Sequence, residues 1–208
     1  MAETGFARRL VIMVKEPAAG RVKTRLARSI GSVRAVAFYR HVGAAVLHRL
    51  SRPHRWQTYL AVTPDTAVVS RCWPVHVVRV PQGPGDLARR MQRLMDRSWK
   101  GPVAIVGSDI PAIRPVHIAE AFRQLGGHDA VFGPAPDGGY WLVGLRRIPR
   151  ILRPFGAVRW SGPYALADTR ANLAGRRIAE TACLFDVDTI EDYRRAAAWY
   201  GRRILPIR

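Results

Sequence analysis

Short apolar runs alternate with amphipathic stretches along nearly the whole chain, and this alternation restricts the possible folds more than any other feature. The run Leu10-Val-Ile-Met-Val14 has no polar residue on either side of a strand's two-residue period, which is how a strand covered on both faces reads. From 33 to 50, by contrast, Val36, Ala37, Val42, Ala45, Val46 and Leu50 recur at helical spacing. The same switch of period repeats further on. Strands are expected over 56–62, over 75–80 with Pro81 ending the strand, and over 102–106, 129–132, 140–145 and 178–185. Helices are expected from Gly85-Asp86-Leu87 onward and over 115–125, 163–173 and 190–200. Leu87, Met91, Leu94 and Met95 share one helix face, so the methionines read as core. Such alternation predicts an α/β chain with helices on both faces of a mostly parallel sheet. A length of 208 residues suits one domain spanning 1–208, with a core large enough to stand without staples.

Composition removes several function classes. The apolar run at 10–14 is far short of the ~18 residues a membrane span needs, and shorter than a signal-peptide core. A cytoplasmic protein is therefore the expectation. Cys72 and Cys183 lie far apart without Cys-x-x-Cys spacing, so they read as buried thiols outside any zinc site or disulfide framework. The formal charge of +19 raises nucleic-acid binding as an alternative, since clustered cations release counterions from phosphate backbones. Its carriers, 31 Arg and 3 Lys, are instead scattered in runs of no more than two, and no nucleic-acid motif accompanies them. The surplus reads as a solvated surface that draws in small anions, with no specific nucleic acid expected. His41, His48, His54, His76, His117 and His128 show no ligand spacing on a shared face and read as surface or structural residues.

Three segments carry chemistry. The loop after the first strand, 15–25, holds Lys15, Arg21, Lys23 and Arg25, with Gly20 to let backbone N–H groups approach an anion. A phosphate cradle and a solvated basic loop are both consistent with it, and its place after the first strand favours the cradle. It departs from a Walker A loop, because Gly20 and Lys23 are not adjacent. The second segment is Gly107-Ser108-Asp109, at the C-terminal end of the most apolar strand, where open α/β sheets bind ligands. It is joined by Asp186-Val187-Asp188. Hard cations such as Mg²⁺ or Mn²⁺ take one or two carboxylates and leave positions for phosphate and water. Asp109 is the leading metal ligand and Asp188 the second, with Asp186 pointing to the same side if the strand persists. As helix caps, Asp109 would precede Pro111, and Asp188 would precede a helix with Glu191 at capping-box spacing. The third segment, Gly133-Pro-Ala-Pro-Asp137-Gly138-Gly139-Tyr140, is either a plain hairpin or a turn whose glycines bring backbone against a ligand, with Tyr140 and Trp141 to stack.

Together, Lys15-x-Pro17, Gly20-Arg-Val-Lys-Thr-Arg-Leu26, Gly107-Ser-Asp-x-Pro111, Gly133-Pro-Ala-x-Asp-Gly-Gly-Tyr140 and Asp186-Val-Asp-Thr189-x-Glu-Asp192 resemble the radical-SAM/selenodomain-associated transferases. That family is itself similar to the 2-phospholactate guanylyltransferases and, more distantly, to the molybdenum-cofactor guanylyltransferases. The resemblance implies the GT-A, nucleotide-diphospho-sugar transferase fold, a three-layer α/β/α Rossmann-like domain with a mostly parallel seven-stranded sheet. It also implies a metal-dependent transferase, nucleotidyl or glycosyl, moving a group from a nucleoside triphosphate or nucleotide sugar to a small acceptor; the alternative on the same fold is a nucleotide- or anion-binding module without catalysis. Lys15, Ser108 and the loop at Gly20, Arg21, Lys23 and Arg25 would then meet the nucleotide's phosphates, with Asp109, Lys23 and Arg25 as the catalytic residues, and Gln82, Gly85 and Asp86 would meet its base. Asp109 and Asp188 would hold the metal, and Asp137, Gly138, Gly139 and Tyr140 would face the acceptor. Relatives often show Gly-Asp-Leu-Gly and Trp-x-Thr where this chain has Gly85-Asp86-Leu87-Ala88 and Trp160-Ser161-Gly162. Base, acceptor and oligomeric state are left open by this comparison.

Overall fold

A computed structural model describes residues 8–51 and 55–200. His54 lies outside the described residues. Seven strands form one sheet: β1 (Arg9–Lys15), β2 (Gln57–Thr63), β3 (Val78–Pro81), β4 (Val103–Gly107), β5 (Ala130–Pro134), β6 (Tyr140–Leu145) and β7 (Ile178–Glu180). Six α-helices connect and cover them: α1 (Thr24–Ile30), α2 (Ser32–Leu50), α3 (Leu87–Met95), α4 (Pro115–Gln124), α5 (Ala165–Ala171) and α6 (Ile190–Tyr200). The spatial order is β3-β2-β1-β4-β6-β5-β7, and only β6 runs antiparallel to its neighbours. The sheet is mostly parallel, as expected, and β6 alone makes it mixed.

The strand periods explain the layers. In β1, Leu10, Ile12 and Val14 pack with Phe38, Val42 and Val46 of α2 and with residues of α4 and α6. Val11 faces the other way, into a cluster with Met91, Leu94 and Met95 of α3 and with Leu173. Both faces are covered, so β1 is apolar at nearly every position.

Four expectations need correcting. A short helix, α1, precedes α2 where the sequence suggested only loop; Gly31 separates the two at φ 82, a value glycine adopts without steric cost. The third strand begins at Val78 rather than at 75, since Val75 stands 92% exposed in the turn before it. The last strand ends at Glu180, and residues 181–188 continue extended without a ladder, tied to β5 by Thr181 N–H to Phe132 O and Leu184 N–H to Pro134 O. Cys72 and Cys183 are exposed rather than buried, because each lies on an irregular segment outside the packed layers. Among the described residues no helix is long and apolar enough to cross a membrane.

Strand direction places the site. The C-terminal ends of β1, β4 and β5 share one edge of the sheet with the start of β6. From β1 the chain travels outward through β2 and β3, then returns to the other side of β1 as β4. The crevice between such diverging connections is where open α/β sheets bind ligands.

Candidate active site

At that edge Lys23 stands among three carboxylates. Its Nζ lies 2.6 Å from Asp109 Oδ2, 2.5 Å from Asp188 Oδ1 and 3.8 Å from Asp186 Oδ2. Lys23 precedes α1 in the left-handed region, φ 48 and ψ 45, and its side chain is only 4% exposed. Burial pulls its pKa down, but Asp109, Asp188 and Asp186 more than reverse this, so the ammonium is held charged above the ordinary lysine value. Burial pushes Asp186 up to about 7, aided by the charges of Asp109, Asp188 and Asp137 and opposed by Lys23.

The acids reach this point by different routes. Asp109 follows β4 and folds back over Gly107, where a Cβ would lie 2.9 Å from its Oδ1. Ser108 turns the other way and is buried, its Oγ 3.3 Å from the Tyr39 hydroxyl, which also accepts the Lys15 N–H at 2.9 Å. Tyr39 thereby ties the ends of β1 and β4 to α2. Asp186 and Asp188 come from the extended segment after β7, where the alternation survives loss of the ladder: Phe185 and Val187 point into the core and both aspartates toward Lys23. Asp188 does not cap α6. Thr189 does: its Oγ accepts from Asp192 N–H, while Asp192 Oδ2 accepts from the backbone N–H of Asp188 and Thr189 and from the Thr189 hydroxyl. This capping box leaves the Asp188 carboxylate available.

Around this cluster lies a cleft of about 560 Å³, bordered by Lys15, Arg21, Lys23, Gln82, Ser108, Asp109, Gly139, Tyr140 and Asp188. Met13, Leu87, Met91, Ile105, Val143 and Trp160 add an apolar wall. A smaller recess of about 190 Å³ adjoins it, bounded by Asp109, Asp137 and Asp186.

Other sequence candidates are placed differently. Gln82 is buried and its amide donates to Val14 O and Ala61 O, at 3.0 and 2.8 Å, clamping the cleft floor. Gly85 and Asp86 do not line the cleft; Asp86 caps α3 by accepting from Arg89 N–H at 2.9 Å. Gly20 lies off the cleft in an exposed turn at φ 74, and Arg25 is mostly exposed, its guanidinium 3.9 Å from Asp188. Gly138 also has its back to protein: at φ 82, its Cβ would fall 2.2 Å from Pro163 O, so its freedom serves packing rather than ligand approach. Tyr140 reaches toward Thr169 at 3.4 Å, and burial raises its pKa. Sequence reasoning missed Tyr39 and Trp160. Tyr39 sits within α2's apolar periodicity, so its polar tip gave no separate signal.

The carboxylates suit a hard divalent ion. One oxygen from each of Asp109, Asp186 and Asp188 lies within 4.8 Å of the others, and oxygen donors are what Mg²⁺ and Mn²⁺ take.

A family described as "Uncharacterized protein conserved in bacteria (DUF2064)" matches residues 46–162. The chain belongs to this family. No curated protein matches the chain. Among solved structures, a nucleotide-diphospho-sugar transferase candidate from Desulfovibrio desulfuricans G20 is 29% identical, with a TM-score of 0.81 over 94% of this chain and 90% of that one. A nucleotidyl transferase from Methanothermobacter thermautotrophicus is 16% identical, with a TM-score of 0.63 over 96% and 100%. Rv0371c from Mycobacterium tuberculosis H37Rv, solved with manganese, is 18% identical, with a TM-score of 0.52 over 94% and 100%. The family member described here therefore has the nucleotide-diphospho-sugar transferase fold.

Proposed function

We propose that the chain is a metal-dependent nucleotidyltransferase that acts as one domain in the cytoplasm, close to the radical-SAM/selenodomain-associated transferases. The observation that carries this reading is the meeting of Lys15, Arg21 and Lys23 with Asp109 and Asp188 at the sheet's switch point. Cations and carboxylates bordering one cleft suit a nucleoside triphosphate with its metal. Lys15 and Arg21 would hold the phosphates, and Asp109 and Asp188, with Asp186 beside them, would hold Mg²⁺ or Mn²⁺. A divalent ion there supplies neutralisation of charge on the α- and β-phosphates. Gln82 would bound the base, and the turn with Asp137, Gly139 and Tyr140 would position a small acceptor. An acceptor oxygen attacks the α-phosphorus, the bond from that phosphorus to the bridging oxygen breaks, and pyrophosphate leaves with the pair of electrons. The basic loop stabilises that leaving group. No covalent nucleophile on the protein is needed.

The test is thermal denaturation against the nucleoside triphosphates and nucleotide sugars, each with and without Mg²⁺ or Mn²⁺. At least one nucleotide should stabilise the chain only with metal present, and Asp109→Ala should erase that gain while keeping the fold. Pyrophosphate release on adding acceptor marks nucleotidyl transfer. A nucleoside diphosphate released from a nucleotide sugar would move the assignment to glycosyl transfer. Absence of metal-dependent stabilisation by every nucleotide tried would remove the proposal.

A further inference from the structure

Lys23 occupies the ground that a metal would need. Its Nζ bridges Asp109 Oδ2 and Asp188 Oδ1 at hydrogen-bonding distance, with Asp186 on the third side. A divalent ion taking the same oxygens at about 2.1 Å would have to share them with an ammonium already seated between them, and two cations cannot share so small a volume without strong repulsion. The lysine has not drifted there from the surface. Its backbone, at the N-cap of α1, sits in the left-handed region that non-glycine residues seldom occupy, and its side chain is 4% exposed and makes no cap hydrogen bond to the helix.

We propose that Lys23 is the resident cation of the carboxylate cluster, that metal enters only in exchange for it, and that the released ammonium goes to the phosphates of the incoming nucleotide. This rests on the metal-and-nucleotide reading above and adds how that site is loaded. Without ligand, the lysine offsets part of the negative charge of three carboxylates that would otherwise repel one another more strongly. When metal replaces it, the ammonium swings out beside Arg21 and Lys15, where an anion is its natural partner. Metal and phosphate therefore strengthen each other's binding, by the reciprocity that links any two coupled ligands. No bond is made or broken in the exchange.

The chain has only three lysines, Lys15, Lys23 and Lys100, which makes the test direct. In protein labelled with ¹³C,¹⁵N-lysine, the Lys23 ammonium, buried and ion-paired, should give a slowly exchanging signal that is missing from Lys23→Arg. Titrating Mg²⁺ into the wild-type protein should abolish or shift that signal while sparing Lys100. Independently, Mn²⁺ binding followed by electron paramagnetic resonance in phosphate-free buffer should be tighter in Lys23→Met by about tenfold or more, within the usual range of coupling between sites. Metal binding to the wild type with the Lys23 signal unmoved would overturn the exchange while sparing the metal site, and so would equal or weaker Mn²⁺ binding by a folded Lys23→Met. If Lys23→Met does not fold, the wild-type titration decides alone. Failure of either metal to bind the wild type or the folded variant, at millimolar concentration and with inorganic tripolyphosphate present, would remove the metal reading itself.

Discussion

At the start of α6, two aspartates four residues apart do different work. Asp192 spends its carboxylate on the backbone of Asp188 and Thr189 and on the Thr189 hydroxyl, and Asp188 spends its own on Lys23. The cap thus fixes the backbone from which the Asp188 carboxylate, a proposed metal ligand, projects. Asp192→Ala should lower stability by about 1–2 kcal/mol, read as a shift of the urea midpoint. It should also weaken any Mn²⁺ binding, although Asp192 touches neither Lys23 nor the cleft. A substitution that lowered stability and left Mn²⁺ affinity untouched would show that Asp188 needs no such support.

Two contacts decide how the elements around the turn at Asp137 and Tyr140 hold together. The β5–β6 hairpin docks on the segment before α5 through Gly138, whose carbonyl accepts the Leu166 N–H. Gly138→Ala would place a methyl against the Pro163 carbonyl at a positive φ. It should cost at least about 1–3 kcal/mol in chemical denaturation and loosen the turn bearing Asp137 and Tyr140. On the other side of α5, Asp168 takes the Arg159 guanidinium at 2.8 and 2.9 Å and the Arg159 backbone N–H at 3.0 Å, while Arg159 stacks on Tyr164. Those hydrogen bonds lower the Asp168 pKa from 3.8 to about 2. Because the folded value is the depressed one, the contact stabilises in full above the unfolded value near 4, and that contribution drains away as pH falls toward 2. Asp168→Asn should flatten the stability profile in that window alone, as measured by thermal denaturation at stepped pH.

At the scale of the whole molecule, the balance of 34 basic against 15 acidic residues gives the protein a net positive field. Four of those acids, Asp109, Asp137, Asp186 and Asp188, border the cleft or its adjoining recess. An anionic ligand such as the proposed nucleotide would be drawn by the long-range field, whereas a cation would meet attraction only at the carboxylates. Nucleotide affinity should therefore fall roughly several-fold between low and physiological salt as the surface field is screened, while binding of the uncharged nucleoside should not change. Calorimetric titration at two ionic strengths checks this. Equal salt dependence for both ligands would mean that the surface charge plays no part in recruitment.

The layered α/β architecture was legible because it depends on local patterns: apolar runs of strand length, amphipathic runs of helix length, and turns between them. The run at 102–106 pointed to Asp109 by the same logic, since a buried strand must deliver whatever follows it to one edge of the sheet. Strand ends were less legible, because β7 leaves the ladder after Glu180 while β5 runs on to Pro134, a departure that the residues of the 178–185 run do not announce. The choice between Asp186 and Asp188 was not available from spacing, as both project the same way and only Lys23's position grades them. Nor could order along the chain show that Gly138 packs on Pro163, that Asp86 caps α3, or that Tyr39 joins Ser108 to Lys15. What the sequence determined by itself was periodicity, hence layers and the edge where chemistry collects. Only the tertiary structure decided which charges meet, because the contacts of Lys23 span 86 residues to Asp109 and 165 to Asp188, and no local rule reaches so far.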